Sequence, residues 1–333
     1  MCRSSTALAK PPSRMSFMCI FISCRAIWAM SRMCAGAPTR NGWRNMTRCC
    51  EICLSLPHNS PFHSATGAPM NQPIIQDMIN TILDGMHRPH LTETCDTVKT
   101  GDPTRRVTLV VTTFLATHAV IEKAAALGAN FIITHEPTFY THHDSVDWLA
   151  EDSVYKAKRK LIDDSGIVIW RLHDHIHMRQ PDGIVLGLVQ ALGWEACMQN
   201  GEPHYCVLPP ITLAELCAQI KERLGIRHIR LVGDLDAEIS KVVLPVGAAG
   251  GGLHYQLMKA YQPDVIVCGE LNEWETSEYI RDANQQGQRK AILAIGHANS
   301  EEPGMAWLAQ WLRGVYPDLT INHIPAEDPF VVV

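Results

Sequence analysis

From residue 70 onward, short apolar runs alternate with segments whose apolar side chains recur every three or four positions. Residues 108–114 (TLVVTTF), 130–134 (NFIIT), 167–172 (IVIWRL), 241–246, 264–268 and 291–295 are short and rich in β-branched residues, which suits buried strands. Residues 74–83, 116–127, 148–162, 213–224, 253–261, 274–284 and 304–312 carry helical spacing instead. Gly128 and Gly166 follow two of these segments and can end them. Strands alternating with helices predict an α/β fold with sheets flanked by helices. No repeat or low-complexity tract interrupts the pattern.

Residues 1–69 do not share it. Their apolar patches are broken by Arg, Pro and Ser, and no stretch reaches the ~18 apolar residues of a membrane-spanning helix. Composition changes at the same place. Eight of the 29 Lys and Arg but one of the 34 Asp and Glu precede Met70, so that segment is +7 and the remaining 264 residues are −12. Seven of the 12 cysteines lie there too. We expect residues 1–69 to be a non-native extension ahead of a start at Met70; a transit peptide, a signal peptide and a genuine disordered tail are the alternatives. The corresponding location is cytoplasmic, or mitochondrial if the segment is a transit peptide. The −12 of the rest disfavours nucleic acid as a partner. Its five cysteines (95, 197, 206, 217, 268) have no CxxC spacing and read as buried thiols.

Metal-capable side chains recur just after the expected strands. His135 and Glu136 follow NFIIT, the run HDHIH (173–177) follows IVIWRL, Glu270 follows DVIVCG, and His297 follows AILAIG. Loops at the carboxyl ends of strands are where open α/β sheets collect ligands. A lone His or Glu at such a place is usually a hydrogen-bonded core residue or a helix cap; four strands delivering one each changes the balance. Imidazole and carboxylate without cysteine suit zinc, manganese or iron. His297 and Glu301 are four apart in GHANSEEPG, so a helix beginning near Ser300 would aim both at one ion. The same acids also fit a helix N-terminus. The run GAAGGG (247–252) follows a strand and precedes a helix. Its residues Gly250 and Gly251 are candidates for a backbone anion-binding turn, although tight packing explains the glycines as well, and the run matches neither standard nucleotide loop. His142, His143 and Asp144 lie close enough in sequence to border the same region.

The segments IITHEPTFYTHHD, RLHDHIH, VGAAGGG and GHANSEEPG, in this order, resemble the NIF-three-like family (NGG-interacting factor, also labelled GTP cyclohydrolase type two homologues). The resemblance covers residues 70–333. It implies a two-lobed α/β protein, with lobe one about 70–195 plus 290–333 and lobe two about 196–289. It also implies two divalent metal ions in the cleft between lobes and assembly into a homo-oligomer, a hexameric ring. By the same resemblance His135 matches the first of a His pair and Glu136 stands where the second His is usual. His173 matches a further His, and His177 stands where an Asp is expected. His297 and Glu301 match the late ligands directly. The two departures keep one imidazole and one carboxylate, so ligand charge is unchanged.

These residues lead to one expectation and one rival. The first is metal-assisted hydrolysis of a small nucleotide-like or phosphate-bearing molecule, with Glu270 placed to orient water or accept its proton; an ordinary solvated loop carboxylate is its bland reading. The second is a non-catalytic metal-binding, regulatory or metal-delivery protein using the same ligands.

Overall fold

The computed structural model describes residues 72–333, and the expectations for residues 1–69 fall outside the described residues. In chain order the first half contains α1 (Ile75–Met86), β1 (Val98–Thr100), β2 (Leu109–Thr113), α2 (His118–Ala126), β3 (Phe131–Thr134), α3 (Ser153–Ser165), β4 (Val168–Arg171), α4 (Asp174–Met178) and α5 (Gly183–Leu192). The second half adds β5 (Met198–Gln199), β6 (Glu202–Thr212), α6 (Leu213–Leu224), β7 (Arg230–Val232), β8 (Glu238–Val243), α7 (Gly250–Tyr261) and β9 (Val265–Cys268). It closes with α8 (Glu278–Gln285), β10 (Ala291–Ala294), α9 (His297–Val315) and β11 (Thr320–His323).

Two sheets result, in the orders β1-β4-β3-β2-β11 and β5-β6-β8-β9-β10-β7. The centres are parallel: β11, β2, β3 and β4 in the first, β8, β9 and β10 in the second. The strands at the borders, β1, β5, β6 and β7, pair antiparallel. Because strand side chains alternate between faces, each central strand feeds two cores. Val110, Phe131, Ile133, Val168 and Trp170 of the first sheet share one buried cluster with Val242, Val265, Val267 and Leu293 of the second. Helices α1, α5, α6 and α9 supply the rest of that cluster through Met78, Ile184, Leu216 and Leu308, among others. On the opposite face of the first sheet Val111, Ile132 and Ile169 meet α2 and α3. On the opposite face of the second, Val243, Ile266 and Ile292 meet α7 and α8. Helices thus flank both sheets, and a helical layer joins them.

Several boundaries differ from the sequence expectation, for local reasons. Helix α9 begins at His297, seven residues before the expected 304, and contains Pro303. Proline discourages an interior assignment, but the turn is fixed upstream, where Gly296 has φ +98° and its carbonyl accepts from the Ser300 N–H. Helix α3 starts at Ser153 instead of 148 because Asp152 caps it, accepting from the N–H groups of Val154 and Tyr155. Residues 291–294, which the lobe boundary at 289/290 assigned to lobe one, form β10 between β9 and β7 of the second sheet. The chain returns to the first sheet only through α9 and β11. Helices α4 and α5 and strands β1, β5, β6, β7 and β11 had no counterpart in the sequence reading. Among the described residues no helix is long and apolar enough to cross a membrane.

Candidate metal centre

The ends of three central strands converge. Strand β3 delivers His135 and Glu136; β4 leads to His173 and, one turn along α4, His177; β10 leads through Gly296 to His297 and Glu301 on the first turns of α9. All six residues expected as metal ligands come together. The α4 turn is held by Asp96, whose carboxylate accepts from the N–H groups of His173, Asp174 and His175 and from the His175 ring. His175 is therefore a buried structural residue, its Nε2 accepting from Leu91 N–H.

The imidazole orientations follow from their partners. His135 Nδ1 lies 3.0 Å from the Leu172 carbonyl, His173 Nδ1 2.9 Å from Asp174, His177 Nδ1 2.9 Å from Asp182 and His297 Nδ1 2.8 Å from Glu270. Each partner is purely an acceptor, so each Nδ1 donates and each Nε2 is the nitrogen left facing the centre. Buttressing of this kind by carbonyl or carboxylate is what orients a metal-ligating histidine. The Nε2 atoms meet carboxylate oxygens: His135 to Glu301 Oε2 at 3.3 Å, His297 to the same oxygen at 3.0 Å, His177 to Glu301 Oε1 at 3.9 Å. Glu136 Oε1 is 3.5 Å from His297 Nε2 and 3.7 Å from His173 Nε2. The ligand atoms of His135, His173 and His177, and again those of His135, Glu136 and Glu301, lie within 4.8 Å of one another. His135 is fully buried, and its Nε2 has no hydrogen-bond partner.

The electrostatics show how strongly the centre attracts positive charge. Burial opposes charge on His297, yet the bonds to Glu136 and Glu301 override it and lift its imidazolium to about 11. Burial likewise opposes charge on His177, and Asp182 and Glu301 reverse it, to about 9. Glu136 is lowered to about 2 despite burial, by its bond to His297 and the neighbouring imidazoles, and Glu301 is held well below the ordinary carboxylate value.

The remaining expectations fare unevenly. Glu270 is at the site, but one of its oxygens is engaged in holding His297. The Gly251 N–H donates to the chain's own Glu275 carboxylate, and a Cβ at Gly251 would strike that carboxylate at 2.4 Å. The anion at this turn is therefore internal, and nothing in the contacts of Gly250 or Gly251 ties them to the six candidate ligands. His142 borders the site through edge contact with the His173 ring, while Asp144 accepts from Phe139 N–H and pairs with Lys99. Four contributors escaped the sequence reading. Asp96 and Asp182 position imidazoles, and Arg171, fully buried, lies 3.5 Å from Glu136 Oε2. Gly247 has φ +63°, and a Cβ there would lie 2.1 Å from Glu301 Oε1. Only the spacing of Asp182, five residues beyond His177, gave a local signal; Asp96 is remote in sequence, and Gly247 sat inside a run read for its other end.

Fold and site together define a class: a two-sheet α/β protein with a partly buried His and Glu cluster of metal-ligating type at its strand ends. The chain belongs to the Duf34/NIF3 (NGG1p interacting factor 3) family, whose sequence profile matches residues 75–329. Among its relatives is the "GTP cyclohydrolase 1 type 2 homolog" of Clostridium perfringens, 25% identical over 271 residues, covering 77% of this chain and 98% of that protein. The protein of the same name from Escherichia coli K12 is 26% identical over 231 residues, covering 66% and 85%. The crystal structure of a Bacillus cereus protein related to NIF3 superposes with a TM-score of 0.64 at 17% identity, covering 79% of this chain and 100% of that one. Reduced HcgD from Methanocaldococcus jannaschii follows with a TM-score of 0.56 at 16% identity, covering 75% and 97%.

Proposed function

We propose that this chain holds two divalent metal ions at the His135–Glu301 cluster and uses them to hydrolyse a small nucleotide-like or phosphate-bearing molecule. One observation carries the metal reading. His135 Nε2, turned inward by the Leu172 bond, is fully buried without a hydrogen-bond partner and faces a carboxylate oxygen at 3.3 Å. A buried ring nitrogen against a carboxylate needs a proton or a metal ion between them, and four imidazoles converging with two carboxylates are the donor set of a metal site. Bound ions would supply Lewis acidity and an activated water near neutral pH.

The chain's own residues do the rest. His135 and Glu301 form a closed floor, whereas the side chains of His173, His177 and His297 stay about a quarter exposed. An open side is what a catalytic metal site keeps and a structural one lacks. Glu270 fixes the His297 ring and leaves the carboxylate half exposed at that open side, where it can take a proton. Phe114 packs edge-on against His297 and forms an apolar wall. The nucleotide class of substrate is supported by the relatives' name alone, since family does not fix reaction. Assembly into a homo-oligomer, a hexameric ring, belongs to the same proposal and is checked by light scattering, where a monomer contradicts it. The test of activity is a panel of nucleotides and phosphoesters presented to metal-loaded protein. Turnover that disappears in His297→Ala is expected. Metal bound without any turnover refutes hydrolysis and leaves metal delivery or regulation as the account.

A further inference from the structure

Glu136 and His177 occupy the two positions where this chain departs from the ligand pattern it resembles, and the structure shows what their exchange does to the distribution of donors. His135, His173 and His177 form a compact imidazole trio, with ring centroids 4.6 to 5.0 Å apart and ligand nitrogens within 4.8 Å. His297 stands apart against Phe114, its Nε2 3.0 Å from Glu301 and 3.5 Å from Glu136. Glu301 lies between the two groups, with one oxygen toward His135 and His297 and the other toward His177. A carboxylate at 177 and an imidazole at 136 would have divided the nitrogens evenly. Here three of the four nitrogens lie within 4.8 Å of one another, and His135, which also lies within 4.8 Å of the Glu136 and Glu301 oxygens, stands where the two groups meet.

The second oxygen of Glu136 sharpens the difference. It faces Arg171 Nη2 at 3.5 Å, a buried nitrogen with no hydrogen-bond partner, while Arg171 Nε and Nη1 donate to the carbonyls of His135 and His142. With that oxygen facing the guanidinium, Glu136 turns the other toward the centre, 3.5 Å from His297 Nε2 and 3.7 Å from His173 Nε2. Imidazole-rich sets favour zinc and later transition ions, whereas carboxylate with open positions for water suits manganese.

Resting on the metal reading above, we infer that the two positions are chemically unlike. The three-imidazole position takes zinc, the His297–Glu136 position takes manganese, and Glu301 is shared, so that the chain assembles a mixed-metal pair. The experiment loads metal-stripped full chain with equimolar zinc and manganese, counts both by elemental analysis, and locates each by anomalous diffraction at its own absorption edge. One zinc and one manganese per chain, with the zinc peak among His135, His173 and His177, is the expected result. Two zinc ions, two manganese ions, or both metals mixed at each position overturn the inference while leaving metal binding intact. Retention of no metal at all refutes the underlying reading instead. The paired variant Glu136→His with His177→Asp should lose the sorting and bind the same metal at both positions. If that variant does not fold, manganese paramagnetic resonance on the native chain decides. With one equivalent of zinc already bound, a single uncoupled manganese signal supports the sorting, and a spin-coupled manganese pair contradicts it.

Discussion

Gly247→Ala perturbs the centre without removing any ligand. Gly247 approaches the Glu301 carboxylate so closely that an added Cβ would lie 2.1 Å from Oε1, 2.8 Å from the carboxyl carbon and 3.2 Å from His297 Nε2. Cβ contacts below 3.0 Å are essentially never seen, so Oε1 must retreat by ~0.9 Å or the loop must move. Ligand constellations tolerate only about 0.5 Å of displacement. The left-handed backbone adds about 1–2 kcal/mol of strain for alanine, worth a few degrees of melting temperature. Glu301 is also fixed from elsewhere: Ser300 Oγ accepts from Gly247 N–H and donates to the His297 carbonyl, so loop and helix move together. We expect a folded variant, slightly less stable, whose affinity for zinc falls about a hundredfold, the upper end of what losing a supporting contact costs a metal site. Calorimetric titration of metal-stripped protein reads the affinity, and circular dichroism with thermal melting confirms the fold. Gly252→Ala serves as the control, because an added Cβ there meets nothing within 4 Å. A folded Gly247→Ala protein with unchanged affinity would refute the placement of Glu301 as a ligand.

Three further outcomes follow from the same geometry. Asp182→Asn should lower metal affinity by about 10- to 100-fold, since Asp182 orients His177 and also lies 3.6 Å from His204 Nε2; native affinity in equilibrium dialysis would show that His177 does not need it. Metal uptake near pH 7 should release about two protons, because His177 (about 9) and His297 (about 11) are protonated before the ions enter. Both values are raised, so the protons oppose binding below them, and overall affinity for the pair should drop about a hundredfold per pH unit below 8; calorimetry in buffers of different ionisation enthalpy measures the release, and none would contradict it. Gly187→Ala forces a Cβ to within 2.5 Å of the Gly304 Cα and the Pro303 carbonyl where α5 crosses α9, so it should lower stability by about 1–3 kcal/mol in denaturant melts despite alanine's better helix propensity.

The strands that position the site were legible because each is a short, largely apolar run buried on both faces, as in FIIT, AILA and VIVC. Four of the six candidate ligands, His135, Glu136, His173 and His297, were legible because they follow those runs directly; Glu301 was marked by its spacing of four from His297, and His177 by the family resemblance. What the residues could not reveal depends on contacts distant in sequence. Helix α5 hides in an almost wholly apolar run, IVLGLVQAL, with no polar stripe to betray its period, because it is buried in the central layer. Strand β6 is irregular, with Pro209 and Pro210 in its span and a register shift between Val207 and Ile211 against β8. The start of α9 at His297 was masked by Pro303, although the spacing of His297 and Glu301 already aimed both at one ion. Asp96, 77 residues before His173, and Arg171, reaching back to the Glu136 carboxylate, act through tertiary approach only.

The proposed function requires that His135, Glu136, His173, His177, His297 and Glu301 hold divalent metal. Elemental analysis of the full chain, stripped with chelator, reloaded and dialysed, tests it most directly. Two ions per native chain, with occupancy lost in the paired variant His135→Ala, Glu301→Ala, is the predicted result. A native chain that retains no divalent metal would contradict it.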